Sequence, residues 1–124
     1  MSGFAIIALI FVGGGLGSIA RFGVGKMAIQ FFGDGKFPLG TLIANMLACL
    51  ILGITLFFFK DRLLENEWVK YLIVIGFCGG FSTFSTFSLD TVKLFNEGFF
   101  AMGVANILIS TALGISILWI LVKA

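Results

Sequence analysis

Residues 76–88 read Gly76-Phe77-Cys78-Gly79-Gly80-Phe81-Ser82-Thr83-Phe84-Ser85-Thr86-Phe87-Ser88, and this stretch decides how the chain folds. Its first half is apolar and holds Gly76, Gly79 and Gly80; its second half supplies five hydroxyls. The whole lies inside an uncharged run from Tyr71 to Leu89. A helix needs about 20 apolar residues to cross the hydrocarbon core of a bilayer, so the run is long enough. Each interior glycine costs about 1 kcal/mol of helix stability relative to Ala. At membrane depth, non-helical backbone is tolerated only where protein buries it or water lines it. Glycines followed by hydroxyls therefore predict a crossing that breaks near Gly79 and Gly80, with its freed carbonyls facing a partner, an ion or water. The competing reading is an unbroken helix whose glycines only admit a close neighbour.

Outward from this stretch the chain repeats the same length of apolar run. Residues 4–25 carry a single charge, Arg21; residues 38–59 carry none and open on Pro38, which suits a first helical turn. Residues 99–122 are apolar and uncharged. With 71–95 they make four spans in one domain, residues 1–124. Between them, residues 25–37 hold Lys26, Asp34 and Lys36 and read as a turn-rich connection. Residues 60–70 hold Lys60, Asp61, Arg62, Glu65, Glu67 and Lys70 and read as a loop. The N-terminus enters its apolar run without a basic segment, so it is read as the start of the first span and not as a removed leader.

Composition agrees with an all-α membrane protein of four transmembrane helices. The 124 residues are 60% hydrophobic and 11% charged, against roughly a quarter charged in soluble domains. Lipid is thus the expected solvent. A net charge of +2 makes no case for nucleic acid. There is no His, which removes the commonest general base, and no nucleophile–base pair suggests an enzyme. Cys49 and Cys78 both fall in apolar runs and read as small buried hydrophobes rather than as a disulfide.

An even number of spans puts both termini on one side. That side holds Lys60, Arg62, Lys70 and Lys123; the other holds Arg21, Lys26, Lys36 and Lys93. Orientation follows the Lys and Arg excess, and here four face four. The balance points to dual topology, with copies pairing antiparallel as a homodimer and so creating inverted repeats. A fixed orientation settled by other features is the competing reading.

The period-three run of Phe, Ser and Thr puts Phe81, Phe84 and Phe87 near one another along a helix, and Ser82, Ser85 and Ser88 likewise. A phenyl ring is positive at its edge, and hydroxyls donate hydrogen bonds. Such a row can strip and replace the hydration of a small anion without any fixed charge. Equally, the rings can fill a core and the hydroxyls can bond back to carbonyls one turn earlier. Asn45 puts an amide in an otherwise apolar span, as an anion donor or as a clamp between helices. Ser110 and Thr111 are lesser candidates of the same kind. Arg21 either snorkels or raises the anion concentration at a pore mouth. Gly13 and Gly17 read as a small-xxx-small contact. No Asp or Glu is central to a span, which counts against the alternative function, a small multidrug-type cation or drug exporter. A membrane assembly subunit without transport is a third possibility.

Three motifs resemble the CrcB/Fluc family of fluoride channels, over essentially the whole chain. They are Gly13-Gly14-Gly15-Leu16-Gly17-Ser18-Ile19-Ala20-Arg21-Phe22, Gly40-Thr41-Leu42-Ile43-Ala44-Asn45, and residues 76–88. The resemblance implies passive fluoride export through two pores of an antiparallel homodimer in the cell inner membrane. It assigns Phe84 and Phe87 to the pore wall. It sets Asn45, Ser85 and Thr86 near the ion path and matches Arg21 to the arginine of the family's first helix; Arg21 and, from its own chemistry, Ser110 complete the candidate pore residues. It also implies a structural sodium ion at the dimer centre, held by the backbone carbonyls of Gly79 and Ser82. Ser82 stands where the family usually has Thr, and Phe22 where it usually has Tyr or Trp.

Overall fold

Apolar side chains leave a helix stable in lipid because every backbone polar group inside it is paired, and the chain is helical almost throughout. The computed structural model describes all residues except Asp61, Leu63, Leu64 and Ala124. The Asp61 charge of the 60–70 loop therefore lies outside the described residues. Helix α1 covers Gly3–Phe32 and α2 covers Leu39–Phe59. Helix α3 begins at Val69–Cys78, wound with wide i→i+5 turns, and continues through Gly79–Phe81. Helix α4 is Phe84–Asn96 and α5 is Phe100–Lys123. Among the described residues, four helical stretches are long and apolar enough to cross a membrane, with α3 and α4 together forming the third. The protein is a multi-pass membrane protein, with the third crossing bent.

The first connection is shorter than the sequence suggested. Residues 25–37 were expected to be turn-rich, yet α1 runs on to Phe32. Membrane thickness limits a span, whereas a capping residue limits a helix. That residue is Gly33, whose φ of 81° suits glycine and whose N–H bonds the Ile29 carbonyl at 2.8 Å. At its other end α1 is capped by Ser2, whose Oγ accepts from the Ala5 N–H at 3.2 Å.

Helix α1 lies against α3 along a seam of glycines. A Cβ on Gly13 would strike the Leu72 carbonyl, and one on Gly17 the Phe77 carbonyl. In return, a Cβ on Gly80 would strike the Gly14 carbonyl. Backbone meets backbone here, which is how small residues join helices in lipid. The Gly13 and Gly17 contact read from the sequence is thus realised. Helix α2 packs on α5, and α4 turns back onto α5 through Gly98 (φ 87°). The small core at the crossing of α1, α2 and α3 is built on buried Ala44, Ala48 and Phe81, with Ala20, Val24, Ile51 and Phe77 against it. It sits one residue before the break.

The two ends of the bundle carry the charges. At one end the Met1 ammonium pairs with Glu67 at 3.5 Å. At the other, Lys36 pairs with Glu97 at 3.4 Å. In each crossing only 11–22% of the most apolar window is buried, so most of the apolar surface faces outward, as lipid or another chain requires. Cys49 and Cys78 are free thiols.

Candidate functional site

The helix breaks at Ser82 and Thr83, and not at the glycines. Gly79 and Gly80 are helical; the backbone becomes extended at Ser82 (φ −83°, ψ 156°) and Thr83 (φ −155°, ψ 121°). Gly76 and Gly80 serve the close approach of α1, whereas a Cβ on Gly79 would meet nothing within 4 Å; hydroxyl chemistry makes the break. Ser82 Oγ bonds back to the Cys78 carbonyl at 2.8 Å, ending α3. Thr83 starts α4 as its cap: its Oγ1 accepts from the Thr86 N–H at 3.3 Å.

Asn45 holds the break open from α2. Its Oδ1 accepts from the Thr83 N–H at 2.9 Å, and its Nδ2 donates to the Thr83 carbonyl at 3.4 Å. One amide thus satisfies both polar groups of the residue that left the helix, as buried backbone demands. Clamp and donor were alternatives in the sequence; the clamp uses one Nδ2 proton and leaves the other. Arg21 reaches the same region from α1, its Nε donating to the Gly80 carbonyl at 3.3 Å. Arg21 is half-buried, so it is tied to the break rather than extended to the membrane surface.

Around this break the structure brings together most of the candidate residues. A cavity of about 300 Å³ is lined by Asn45, Ser82, Thr83, Phe84, Phe87, Ser110 and Thr111, among others. The rings of Phe84 and Phe87 pair at 5.9 Å between centroids, tilted by 42°. A second cavity, about 390 Å³, is lined by Ser18, Arg21, Phe22, Thr41 and Thr86. A third, about 440 Å³, opens between the α1–α2 connection and the end of α4, and it shares Gly25, Gly40 and Thr41 with the second. The Thr41 hydroxyl there bonds Asp90 at 2.8 Å.

Two expectations are corrected. The expected triple stripe of rings is a pair: Phe81 is 3% exposed, packs on Phe77 and belongs to the core, whereas Phe84 is 80% exposed. The break lies between them and turns them apart. The serines separate as well, since Ser82 bonds backward while Ser85, exposed, lies 3.2 Å from the Thr83 hydroxyl. Gly79 is exposed and lines none of these cavities.

The residues implied for a sodium ion fit a carbonyl site. In an unbroken helix the Gly79 carbonyl would accept from the Thr83 N–H and the Ser82 carbonyl from the Thr86 N–H. Asn45 takes the first donor and the Thr83 hydroxyl takes the second. Both oxygens are released by the same capping bonds, and carbonyl oxygens suit a hard cation.

Sequence reasoning missed Asn106 and Thr91. Asn106 is 1% exposed, with Nδ2 donating to Thr91 Oγ1 at 3.0 Å and Oδ1 accepting from Ser110 Oγ at 3.2 Å. The rule that singled out Asn45, an amide alone in an apolar span, applies equally to Asn106.

The profile described as "CrcB-like protein, Camphor Resistance (CrcB)" matches residues 8–122. A protein of Vibrio cholerae named "Fluoride-specific ion channel FluC" is 43% identical over 123 residues, covering 94% of this chain and 92% of that one. Proteins of the same name are 40% identical in Coxiella burnetii, over 115 residues and 92% of both chains, and in Vibrio parahaemolyticus, over 121 residues, 97% of this chain and 94% of that one. With the match spanning all four crossings and the break itself, this chain belongs to the CrcB family.

Proposed function

We propose that this chain is one subunit of a fluoride channel in the cell inner membrane. The observation that carries the reading is the cavity at the break, lined by Phe84, Phe87, Asn45 and hydroxyl residues without a fixed charge. An anion leaving water must find replacement donors along its path. Ring edges and neutral donors supply them without trapping the ion. Arg21 and Thr86 line the neighbouring cavity, where the guanidinium raises the local anion concentration. Relatives at about 40% identity are named fluoride-specific channels, and the multidrug-type exporter is set aside.

The channel is an antiparallel, dual-topology homodimer with two pores. The four-to-four balance of basic residues supports this assembly, as does Phe84, a pore-wall ring left 80% exposed on a lone subunit. The Gly79 and Ser82 carbonyls of both copies would hold a sodium ion at the dimer centre, and its positive charge would tie the two broken helices together.

Liposomes containing the purified protein test the function: fluoride efflux should be passive and fast, with chloride retained. Equal efflux of both anions, or a requirement for a proton gradient, refutes it.

A further inference from the structure

The hydrogen-bond chain behind Ser110 has a direction set by the carbonyl at its far end. Thr91 Oγ1 lies 2.8 Å from the Phe87 carbonyl. A carbonyl has no proton, so at that separation the single Thr91 proton stands between them. Thr91 Oγ1 is then only an acceptor toward Asn106, 3.0 Å away, and the Asn106 group facing it is the NH₂. The Asn106 carbonyl oxygen therefore faces Ser110, and at 3.2 Å it takes the Ser110 proton. Every link follows from the one before. Asn106 is 1% exposed and no buried polar side-chain atom is left unpartnered among the described residues, so the amide gains nothing by turning over.

Ser110 lines the cavity at the break. With its proton committed to Asn106, it presents lone pairs to that cavity. Lone pairs repel an anion.

We propose that Asn106 is a positioning residue that sets the polarity of Ser110: it holds the hydroxyl as an acceptor toward the cavity and withholds it from the anion. Anion donation then falls to Asn45 and the ring edges, and Ser110 accepts from a water O–H or faces the positive edge of a ring. The inference rests on the channel reading. It differs from the sequence reading, in which Ser110 is a lesser candidate donor of the same kind as Asn45.

The test is a double-mutant cycle read by fluoride efflux from liposomes. Asn106→Leu keeps the buried volume and removes the acceptor, so the Ser110 proton is free to turn to the cavity. The cost of Ser110→Ala should then be about tenfold larger in the Asn106→Leu background than in the parent, the worth of one hydrogen bond to a charged partner. Thr91→Val is the second route. It lets the Asn106 amide turn over and donate to Ser110, which frees the same proton, so the cost of Ser110→Ala should rise in that background also. A structural role predicts otherwise, because damage to packing multiplies the cost of Ser110→Ala equally in every background. Additive costs in every background that purifies overturn the proposal, and one measured background is enough to decide it. A parent protein that passes no fluoride overturns the channel reading itself, whereas a conducting parent with additive costs overturns only the role of Asn106.

Discussion

The two halves of residues 76–88 lie in one crossing and solve opposite problems. The half at Gly76 and Gly80 closes: backbone meets the backbone of α1 at Gly13, Gly14 and Gly17, and no side chain intervenes. The half at Ser82 and Thr83 opens: two residues leave the helix, and Asn45 of α2 and the Thr83 hydroxyl take up the polar groups that are exposed. Glycine costs helix stability in isolation, yet here it stays helical because a neighbouring helix fills its space. Hydroxyls are tolerated in isolated helices, yet here they end one, because they offer the backbone substitute partners. What breaks a helix in this protein is the supply of competing hydrogen bonds.

The largest expected effect strikes the closed half. Gly17→Leu puts a side chain onto the Phe77 carbonyl and the Phe81 N–H, which belong to a helix backbone and cannot move aside. Overpacking typically costs about 1–3 kcal/mol, and a backbone neighbour puts this case at or above the top of that range. The variant should fail to give a monodisperse peak on size exclusion. Gly15→Ala is the matched control, since nothing lies within 4 Å of a Cβ there. Normal behaviour of Gly17→Leu would mean that α1 and α3 do not meet as described.

Next comes the clamp. Asn45→Ala removes two bonds to Thr83 and the spare donor together. Leaving buried polar groups unpaired costs about 1–3 kcal/mol, so the melting temperature should fall. Fluoride efflux should fall by a further ten- to hundredfold per folded protein, through the lost donor. A drop in stability with unchanged efflux would assign Asn45 to the clamp alone.

Much of this was legible in the sequence. The four crossings follow from apolar run length, and the Gly13 and Gly17 seam from spacing. A break in the third crossing was legible near Gly79 and Gly80, but its seat at Ser82 and Thr83 was not, because the amide that holds it is 38 positions from Thr83 and joins it only when α2 packs against α3. The end of α1 was misjudged because its cap, and not its hydropathy, stops it. Of the candidate residues, Asn45, Phe84, Phe87 and Ser110 meet in one cavity, while Arg21 and Thr86 meet in another. That division depends on the turn of the chain at the break, which no local pattern encodes. Asn106 was overlooked although its type and setting match those of Asn45.

A third prediction separates rings that look alike in sequence. Phe84→Leu and Phe87→Leu keep apolar bulk and delete the positive ring edge, so each should slow efflux by about tenfold at most while leaving the fold intact. Phe81→Leu, in the core, should lower the melting temperature instead, by an amount worth about 1 kcal/mol. Phe31, 71% exposed on α1 and distant from the break in sequence, should tolerate Leu with nearly unchanged efflux. If Phe81→Leu slows efflux more than Phe87→Leu does, the assignment of rings to core and path is reversed.

The smallest effect belongs to the mouth of the third cavity, where charge decides more than packing. Glu97 lines it along with Asp34, Asp90, Lys36 and Lys93, and pairs with Lys36 at 3.4 Å. Both side chains are about half exposed, and exposed pairs contribute at most about 1 kcal/mol to stability. Glu97→Gln should therefore leave the melting temperature almost unmoved. Its effect on flux has a definite sign: removing a negative charge and freeing Lys36 makes the mouth more positive, which concentrates anions there. Water screens an exposed charge strongly, so the gain is limited to about two- or threefold at low ionic strength. Near 1 M salt the Debye length shrinks to about 3 Å and the gain should vanish. Efflux measured across a salt series distinguishes this from a change in the path itself, which would persist at every salt concentration. A decrease in efflux at low salt would show that anions do not enter past Glu97, and that the cavity shared with Thr41 leads elsewhere.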